Sequence, residues 1–363
     1  MNAASPASPV PHPLRVGLIG YGLAGSVFHA PMIAATDGLV LDTVVTSSPE
    51  RQRQARAEHG EELRTAAGAD ELFARADELD LVVVASPNRT HVELATRALE
   101  AGLAVVVDKP LAAGAAEAET LADLAERRGL LLSVFQNRRW DGDFLTLRDL
   151  LAEGALGEVW RFESRFERWR PNLKGGWRES GDPAELGGLL YDLGSHVVDQ
   201  ALTLFGPVTS VYAESDVRRP GAEADDDTFI ALHHASGTRS HLWVSSTAAA
   251  LGPRFRVLGS RAAYVKYGLD PQEDALRAGA RPAPGEPWGA EPESAWGTLG
   301  AADDVRPVPS RAGDYPAYYA AVAAALREGG EPPVTAREAA EALRVLEAAR
   351  ASAAEGRTVR LGD

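Results

Sequence analysis

From Leu14 onward the chain alternates short aliphatic runs with longer stretches of mixed polarity. The runs LRVGLIG (14–20), LVLDTVVT (39–46), LDLVVVAS (79–86), LAVVVDK (103–109) and LLLSVFQ (130–136) are near-continuously apolar. That pattern predicts strands buried on both faces, as in a parallel sheet. Between them lie SVFHAPMIAA, SPERQRQARAEHG, THVELATRALEAG and AEAETLADLAERRG. The last two repeat apolar residues at i, i+3 and i+4 and stop at glycine, as helices do. Strand and helix in alternation predict an α/β layer with helices on both faces of the sheet.

After Gln136 the pattern changes. FLTLRDLLAEGALG (144–157) predicts a helix, and EVWRFESRFERWR (158–170) alternates bulky and polar residues as a half-buried strand does. GGLLYDLGSHVVDQALTLFG (187–206) predicts one helix. VTSVYAESDV (208–217), DTFIALHHA (227–235), TRSHLWVSS (238–246) and RFRVLGS (254–260) predict strands joined by short turns, hence a mostly antiparallel second sheet. Residues 271–313, rich in proline, glycine and charge, read as a long surface excursion, and helical patterns close the chain at about 314–328 and 335–355. The division expected is a disordered tail over 1–13, a first domain over 14–136 and a second over 137–363.

Composition narrows the function. With 37 basic and 52 acidic residues the net charge is −15, so nucleic acid and anionic membrane surfaces are not expected partners. No cysteine is present, which excludes disulfides, thiolate metal sites and cysteine nucleophiles. No metal site is expected, and the cytoplasm is the expected compartment.

The first strand runs into Gly20-Tyr21-Gly22-Leu23-Ala24-Gly25, a complete G-x-G-x-x-G between a strand and a helix. In that context Gly20 makes a tight turn, Gly22 lets backbone approach a pyrophosphate, and Gly25 lets the helix lie close to the strand. The end of the second strand should choose the dinucleotide. A carboxylate there would bind a ribose 2′-hydroxyl and repel a 2′-phosphate. The chain instead has Thr46, Ser47 and Ser48, with Arg51 and Arg53 following, and Asp42 lies too early. NADP is therefore expected, with NAD as the alternative. In SPNRTH, Pro87 and Asn88 end a strand and His91 opens a helix, at the sheet edge where ligands bind.

Lys109 ends the next strand at that same edge and is one of only three lysines, with Lys174 and Lys266. An ammonium there can donate to a substrate oxygen, and unlike arginine it can give up a proton; a chance survivor of compositional drift is an equal reading. Asp192 and His196 stand at i, i+4 on one predicted helix, hence on one face. Oxidising a secondary alcohol takes a hydride from carbon and a proton from oxygen, and histidine suits the proton transfer. By spacing alone the wet helix surface is the favoured reading, since i, i+4 Asp/His pairs are frequent.

The succession of G-x-G-x-x-G, P-N-x-x-H, Asp108-Lys109-Pro110 and G-G-x-x-x-D-x-G-x-H resembles the Gfo/Idh/MocA oxidoreductase family, over nearly the whole chain from Leu14. The resemblance implies a Rossmann dinucleotide-binding domain followed by an α+β domain with a large, mostly antiparallel open sheet. It implies a homodimer or homotetramer formed through that sheet. The family's catalytic residues fall on Lys109, Asp192 and His196: Lys109 on the reacting oxygen, His196 as general acid/base, and Asp192 positioning substrate or His196. Where the family writes Glu-Lys-Pro this chain has Asp108, which leaves its contact with the cofactor open. Trp177 and Arg178 resemble a pair that touches NADP in some relatives. GYGLAGSVFHAP, FQNRRWDGDFLTL, LYDLGSHVVDQAL and YGLDPQEDALRAG resemble the NADP-dependent scyllo-inositol 2-dehydrogenase subgroup, implying a cyclitol or sugar alcohol as substrate. Asn137, Arg139 and Trp140 follow a strand end and are placed to line the pocket, Trp140 reading equally as packing at the domain junction. Tyr315, Tyr318 and Tyr319 read as packing more than as substrate contacts. The alternatives are an NAD-assisted glycoside hydrolase of the same family and a non-catalytic dinucleotide or sugar sensor.

Overall fold

A computed structural model describes residues 12–176, 179–181, 186–283 and 288–362. Of the expected tail, residues 1–11 lie outside the described residues, as do Trp177 and Arg178. The first domain is built on β1 (Leu14–Ile19), β2 (Leu39–Val45), β3 (Arg64–Ala66), β4 (Leu81–Val84), β5 (Ala104–Asp108) and β6 (Leu132–Phe135). Their order in the sheet is β3-β2-β1-β4-β5-β6, and every pairing is parallel. β3 is too short to leave an apolar run, and the hydrophobic pattern did not disclose it. Leu81 to Val84 and Val105 to Val107 are fully buried, as a sheet covered on both faces requires. The covering helices are α1 (Ala30–Ala35, entered through a π-wound turn at Ala24–His29), α2 (Pro49–His59), α3 (Ala69–Phe73), α4 (His91–Glu100) and α5 (Ala115–Arg128).

The strand register sets the site. Ile19 pairs level with Val45 and Val84, and Val84 with Val107. Gly20, Thr46, Ala85 and the Asp108-Lys109 step therefore leave the sheet along one carboxyl edge, at the point where strand order reverses.

The second domain holds α6 (Gly142–Ala152), β7 (Val159–Glu167), α7 (Leu189–Asp192), α8 (Gly194–Phe205), β8 (Val208–Asp216), β9 (Asp227–His234), β10 (Arg239–Ser245), β11 (Phe255–Gly259), β12 (Ala263–Lys266), α9 (Gln272–Arg277), β13 (Gly297–Ala301), β14 (Asp304–Val308), α10 (Tyr315–Glu328), α11 (Ala336–Glu355) and β15 (Val359–Arg360). Among the described residues the sheet has nine strands, ordered β14-β13-β12-β11-β7-β10-β9-β8-β15. Its pairings are antiparallel except β7 with β10. α8 and α11 pack on one face of this sheet, and α11 also packs against α5 of the first domain. A capping box of Thr335 and Glu338 starts α11, and further along it Glu347 accepts a hydrogen bond from Ala115 N at 2.9 Å, closing the exposed start of α5.

The stretch 271–313 is not a surface excursion. It supplies α9, β13 and β14, and it is anchored twice. Gln272 is fully buried: it donates to Trp140 O (3.1 Å) and accepts from Trp288 Nε1 and Tyr315 N (2.8 Å each). Lys266, also fully buried, pairs with Glu291 at 3.1 Å. Gly297, Gly300 and Pro307 hide the strand alternation, and β14 lies at the sheet edge with an exposed face.

Candidate active site

The glycine turn sorts its three glycines by function. Gly20 has φ +104°, and a side chain there would press on the Ala85 carbonyl. A Cβ on Gly25 would overlap the carbonyl oxygen of Gly20, so that glycine is required by the approach of helix to strand. A Cβ on Gly22 would meet no protein atom within 4 Å. Only the third faces open space, which is what a dinucleotide pyrophosphate at this turn would need. Leu23 and Ala24 line the adjoining cleft.

At the end of β2, Thr46 is buried and Gln52 Nε2 donates to its carbonyl at 2.8 Å. Ser48 caps α2, accepting from Arg51 N at 3.3 Å, while the Ser47 and Arg51 side chains are exposed. Among the described residues the Arg51 guanidinium has no ion-pair partner. Asp42, inside the strand, is bound by Arg15 at 2.5 Å and is not at the turn. Residues 46–48 thus carry no carboxylate, and Glu50 follows in the first turn of α2. On β4, Pro87 and Asn88 follow the strand end, but His91 is 1% exposed and its ring nitrogens lie on Pro110 O (2.7 Å) and Ser86 O (2.9 Å). His91 thus ties two strand ends together.

Lys109 crosses to the second domain. Its Nζ donates to the Asp192 backbone carbonyl at 2.5 Å and to Asp192 Oδ1 at 3.0 Å. This contact explains a departure from the expected single helix. In a continuous helix the Asp192 carbonyl would accept from His196 N. Here His196 N turns to Leu193 O (3.1 Å), the Asp192 carbonyl goes to Lys109 and Ser195 Oγ (3.3 Å), and α7 ends where α8 begins. Asp225 holds the other end of α7, accepting from Leu190 N at 2.7 Å.

Lys109, Asp192 and His196 all line one cleft of about 740 Å³ between the domains, together with Asp108, Asn137 and Arg138. His196 is 6% exposed and its Nδ1 has no hydrogen-bond partner among the described residues. Burial first, then the cations Lys109, Arg138, Arg254 and Arg168, hold its imidazole well below the ordinary value. It is neutral at neutral pH and able to take a proton. Asp108 faces inward: Oδ1 accepts from Lys109 N at 2.9 Å and lies 3.8 Å from His29 Nε2. Burial pushes this carboxyl up, but His29, His91 and Lys109 outweigh it and hold it below the usual range. A glycine turn with open space at Gly22, and a neutral histidine lining the same cleft as a lysine at the carboxyl edge, suit an oxidoreductase.

Comparison with known proteins agrees. The description "Oxidoreductase family, NAD-binding Rossmann fold" matches residues 14–136, and "Oxidoreductase family, C-terminal alpha/beta domain" matches 148–361. The chain belongs to the Gfo/Idh/MocA oxidoreductase family. It is 45% identical to the uncharacterised oxidoreductase YdgJ of Escherichia coli, over 92% of this chain and 94% of that one. It is 38% identical to the scyllo-inositol 2-dehydrogenase (NADP(+)) IolW of Bacillus subtilis, over 96% of each chain. The solved structure of Bacillus subtilis yvaA superposes with a TM-score of 0.90 at 37% identity, covering 97% of this chain and 99% of that one.

Within this Gfo/Idh/MocA chain, two expected pocket residues stand elsewhere. Arg139 is buried against Asp199 (2.7 and 2.9 Å) and reaches Glu338 at 2.9 Å, away from the cleft. Trp140 packs edge-on against Tyr318 at 5.3 Å in the domain junction. Both follow Asn137, which does line the cleft, on a tight helical turn (Asn137–Trp140) that sends successive side chains in different directions. Tyr315, Tyr318 and Tyr319 are fully buried, donating or sharing hydrogen bonds with Asp141 (2.7 Å), Ser133 (2.8 Å) and His29 (2.6 Å). They are the packing that joins α10 to β6 and to the glycine-turn helix. Sequence reasoning missed Arg138, Arg168, Arg170 and Glu273, all of which line the cleft. A signal for Arg168 and Arg170 was present: both share the parity of the bulky inward residues of β7.

Because Arg139 is the buried partner of Asp199, Arg139→Leu should lower the unfolding free energy in urea by about 3–5 kcal/mol. A near-neutral effect on stability with a raised substrate KM would return Arg139 to the pocket.

Proposed function

We propose that the chain is an NADP-preferring dehydrogenase that interconverts a secondary alcohol of a cyclitol or sugar with its ketone. The observation that carries the reading is the meeting of Lys109, Asp192 and His196 from different domains in one cleft beside the glycine turn. Gly20, Gly22, Leu23, Ala24 and Gly25 would hold the pyrophosphate, and Thr46, Ser47, Ser48 and Arg51 the adenosine end. Pro87, Asn88 and Asp108 would border the nicotinamide half, with His91 supporting them from behind. When bound, the nicotinamide supplies the two-electron acceptor or donor.

The protein's own part is proton transfer and charge stabilisation. Lys109 Nζ has three N–H groups, two of which are spent on Asp192. The third is available to the alcohol oxygen and stabilises the negative charge that grows there as the proton leaves. Neutral His196 takes that proton from oxygen in the oxidising direction and returns it in the reducing direction. Asp192 aims the ammonium and keeps its position fixed.

The name of the Bacillus subtilis relative, a scyllo-inositol 2-dehydrogenase (NADP(+)), supports a cyclitol or sugar substrate with NADP, and the carboxylate-free turn at Thr46–Ser48 supports NADP. We place self-association on the outer face of the nine-stranded sheet, where Arg165 stacks on Trp243 (4.0 Å), Trp243 on Phe229 (5.1 Å), and Trp169 is 57% exposed. No helix among the described residues is long and apolar enough to cross a membrane. A cysteine-free chain of this kind suits the cytoplasm.

Lys109→Ala and His196→Ala should each lower kcat/KM by on the order of 10²–10⁴, with NADPH binding retained in fluorescence titration. Full turnover in either variant would exclude the assignment. Since the imidazole must be neutral to accept a proton and is held below its usual pKa, the acid limb of kcat/KM for oxidation should fall below pH about 6.5. An acid limb at or above that value counts against His196 as base. Arg51→Ala should raise the KM for NADPH by about tenfold or more and leave the KM for NADH nearly unchanged; equal effects refute the 2′-phosphate contact.

A further inference from the structure

From Phe162 on, β7 turns every second side chain toward the core. Phe162, Ser164 and Phe166 point inward and are fully buried. The extended backbone continues past the strand, since Arg168 N donates to Ser245 O and Arg170 N to Ser246 O, both at 2.8 Å. Residues 168 and 170 therefore keep the inward parity. Where the pattern calls for apolar side chains, two arginines enter the cleft.

Most other cations of that cleft are already paired. Lys109 is held by Asp192 (3.0 Å), Arg138 by Glu273, Arg277 by Glu273 (2.8 Å), and Arg219 by Asp226 (2.8 Å) and Glu179 (2.9 Å). Arg168 differs. Among the described residues no carboxylate lies within ion-pair distance of its guanidinium. Its guanidinium carbon lies 4.8 Å from the centre of the Phe166 ring, which steadies the group without neutralising it. Burial, followed by Arg170 and Arg138, pushes the Arg168 pKa down to about 10, so it stays charged at neutral pH in a position that disfavours charge. An anion placed there would offset that penalty.

The position identifies the reacting end of the cleft. Arg168 is near enough to His196 to depress its pKa, and it feels Asp192 and Glu273 directly. The turn at Thr46–Ser48, where a 2′-phosphate is expected, lies on another strand end. A planar guanidinium fork matches the two oxygens of a carboxylate or phosphate and is a poor match for a single hydroxyl.

We infer that the alcohol oxidised in this cleft carries an anionic group, carboxylate or phosphate, and that Arg168, with Arg170 beside it, selects substrates by that group. The inference rests on the dehydrogenase reading above and narrows its substrate class to acidic or phosphorylated sugars and cyclitols.

The test uses the full chain saturated with NADP+ and matched pairs of ligands: D-glucuronate with D-glucose, and an inositol monophosphate with scyllo-inositol. Calorimetric titration should find at least one charged member bound about tenfold or more tightly than its neutral partner, with the advantage shrinking as salt rises. Arg168→Gln should bring that ratio close to one, Arg168→Lys should keep part of it, and Arg170→Gln should reduce it if the first variant does not fold. Three results would overturn the inference: no charged member bound more tightly by the unsubstituted chain, Arg168→Gln weakening both members of a pair alike, or Arg168→Gln weakening NADPH instead. Turnover, followed by nicotinamide absorbance, separates this idea from the broader one. Oxidation of the neutral members with no preference for charge sinks the anion site and leaves the dehydrogenase. A charge preference in binding with no turnover of any alcohol does the reverse.

Discussion

The clasp between the Lys109 ammonium and Asp192 is the interaction on which the rest of the site depends. It joins the carboxyl end of β5 to the end of α7, residues 83 positions apart in the chain. By drawing the Asp192 carbonyl out of the helical ladder it also divides α7 from α8 and sets where His196 begins its turn. One contact thereby ties the two domains together at the cleft and fixes the direction of the ammonium. Both partners are mostly shielded from water, with side chains 14% and 11% exposed, so solvent screens the pair far less than it would a surface bridge.

Around that clasp the charges are divided by purpose. Arg138, Arg139 and Arg254 are buried with Glu273, Asp199 and Asp143 as partners, and they brace the second domain behind the cleft. Removing one member of such a pair leaves an uncompensated buried charge, so they specify geometry more than they add stability. Burial first, then the positive field of Lys109, Arg138, Arg254 and Arg168, keeps His196 neutral. Arg138 and Arg254 therefore perform two tasks: they brace the second domain, and they help to keep the imidazole neutral.

Much of this was legible before any coordinates. The five aliphatic runs became five of the six parallel strands, because a strand buried on both faces writes itself as an unbroken apolar run. Spacing and resemblance together pointed to Lys109, Asp192 and His196, and the fold brings the three into one cleft. What failed did so for local reasons. Glycine and proline masked the β13–β14 hairpin. One turn of tight helix after Asn137 separated a cleft residue from Arg139 and Trp140, and no residue pattern gives the phase of so short a turn. The break between α7 and α8 is caused by a contact distant in sequence, which no local propensity encodes.

The scarcity of lysine now has a physical account at two of its three positions. Arginine serves almost everywhere in this chain, and it serves well where a planar fork meets a carboxylate, as Arg139 does with Asp199. Lys109 has a different geometry to meet: a backbone carbonyl and a carboxylate oxygen of the same residue, with a further donor left over for the cleft. A tetrahedral ammonium provides those diverging directions, and a flat guanidinium does not. Lys266 repeats the arrangement without a substrate. It donates to the Tyr267 carbonyl at 2.7 Å and to Glu291 at 3.1 Å from a fully buried position, and it locks the segment that carries α9 against the sheet. Since α9 brings Glu273 to Arg138 at the cleft wall, the structural lysine helps to shape the pocket that Lys109 lines.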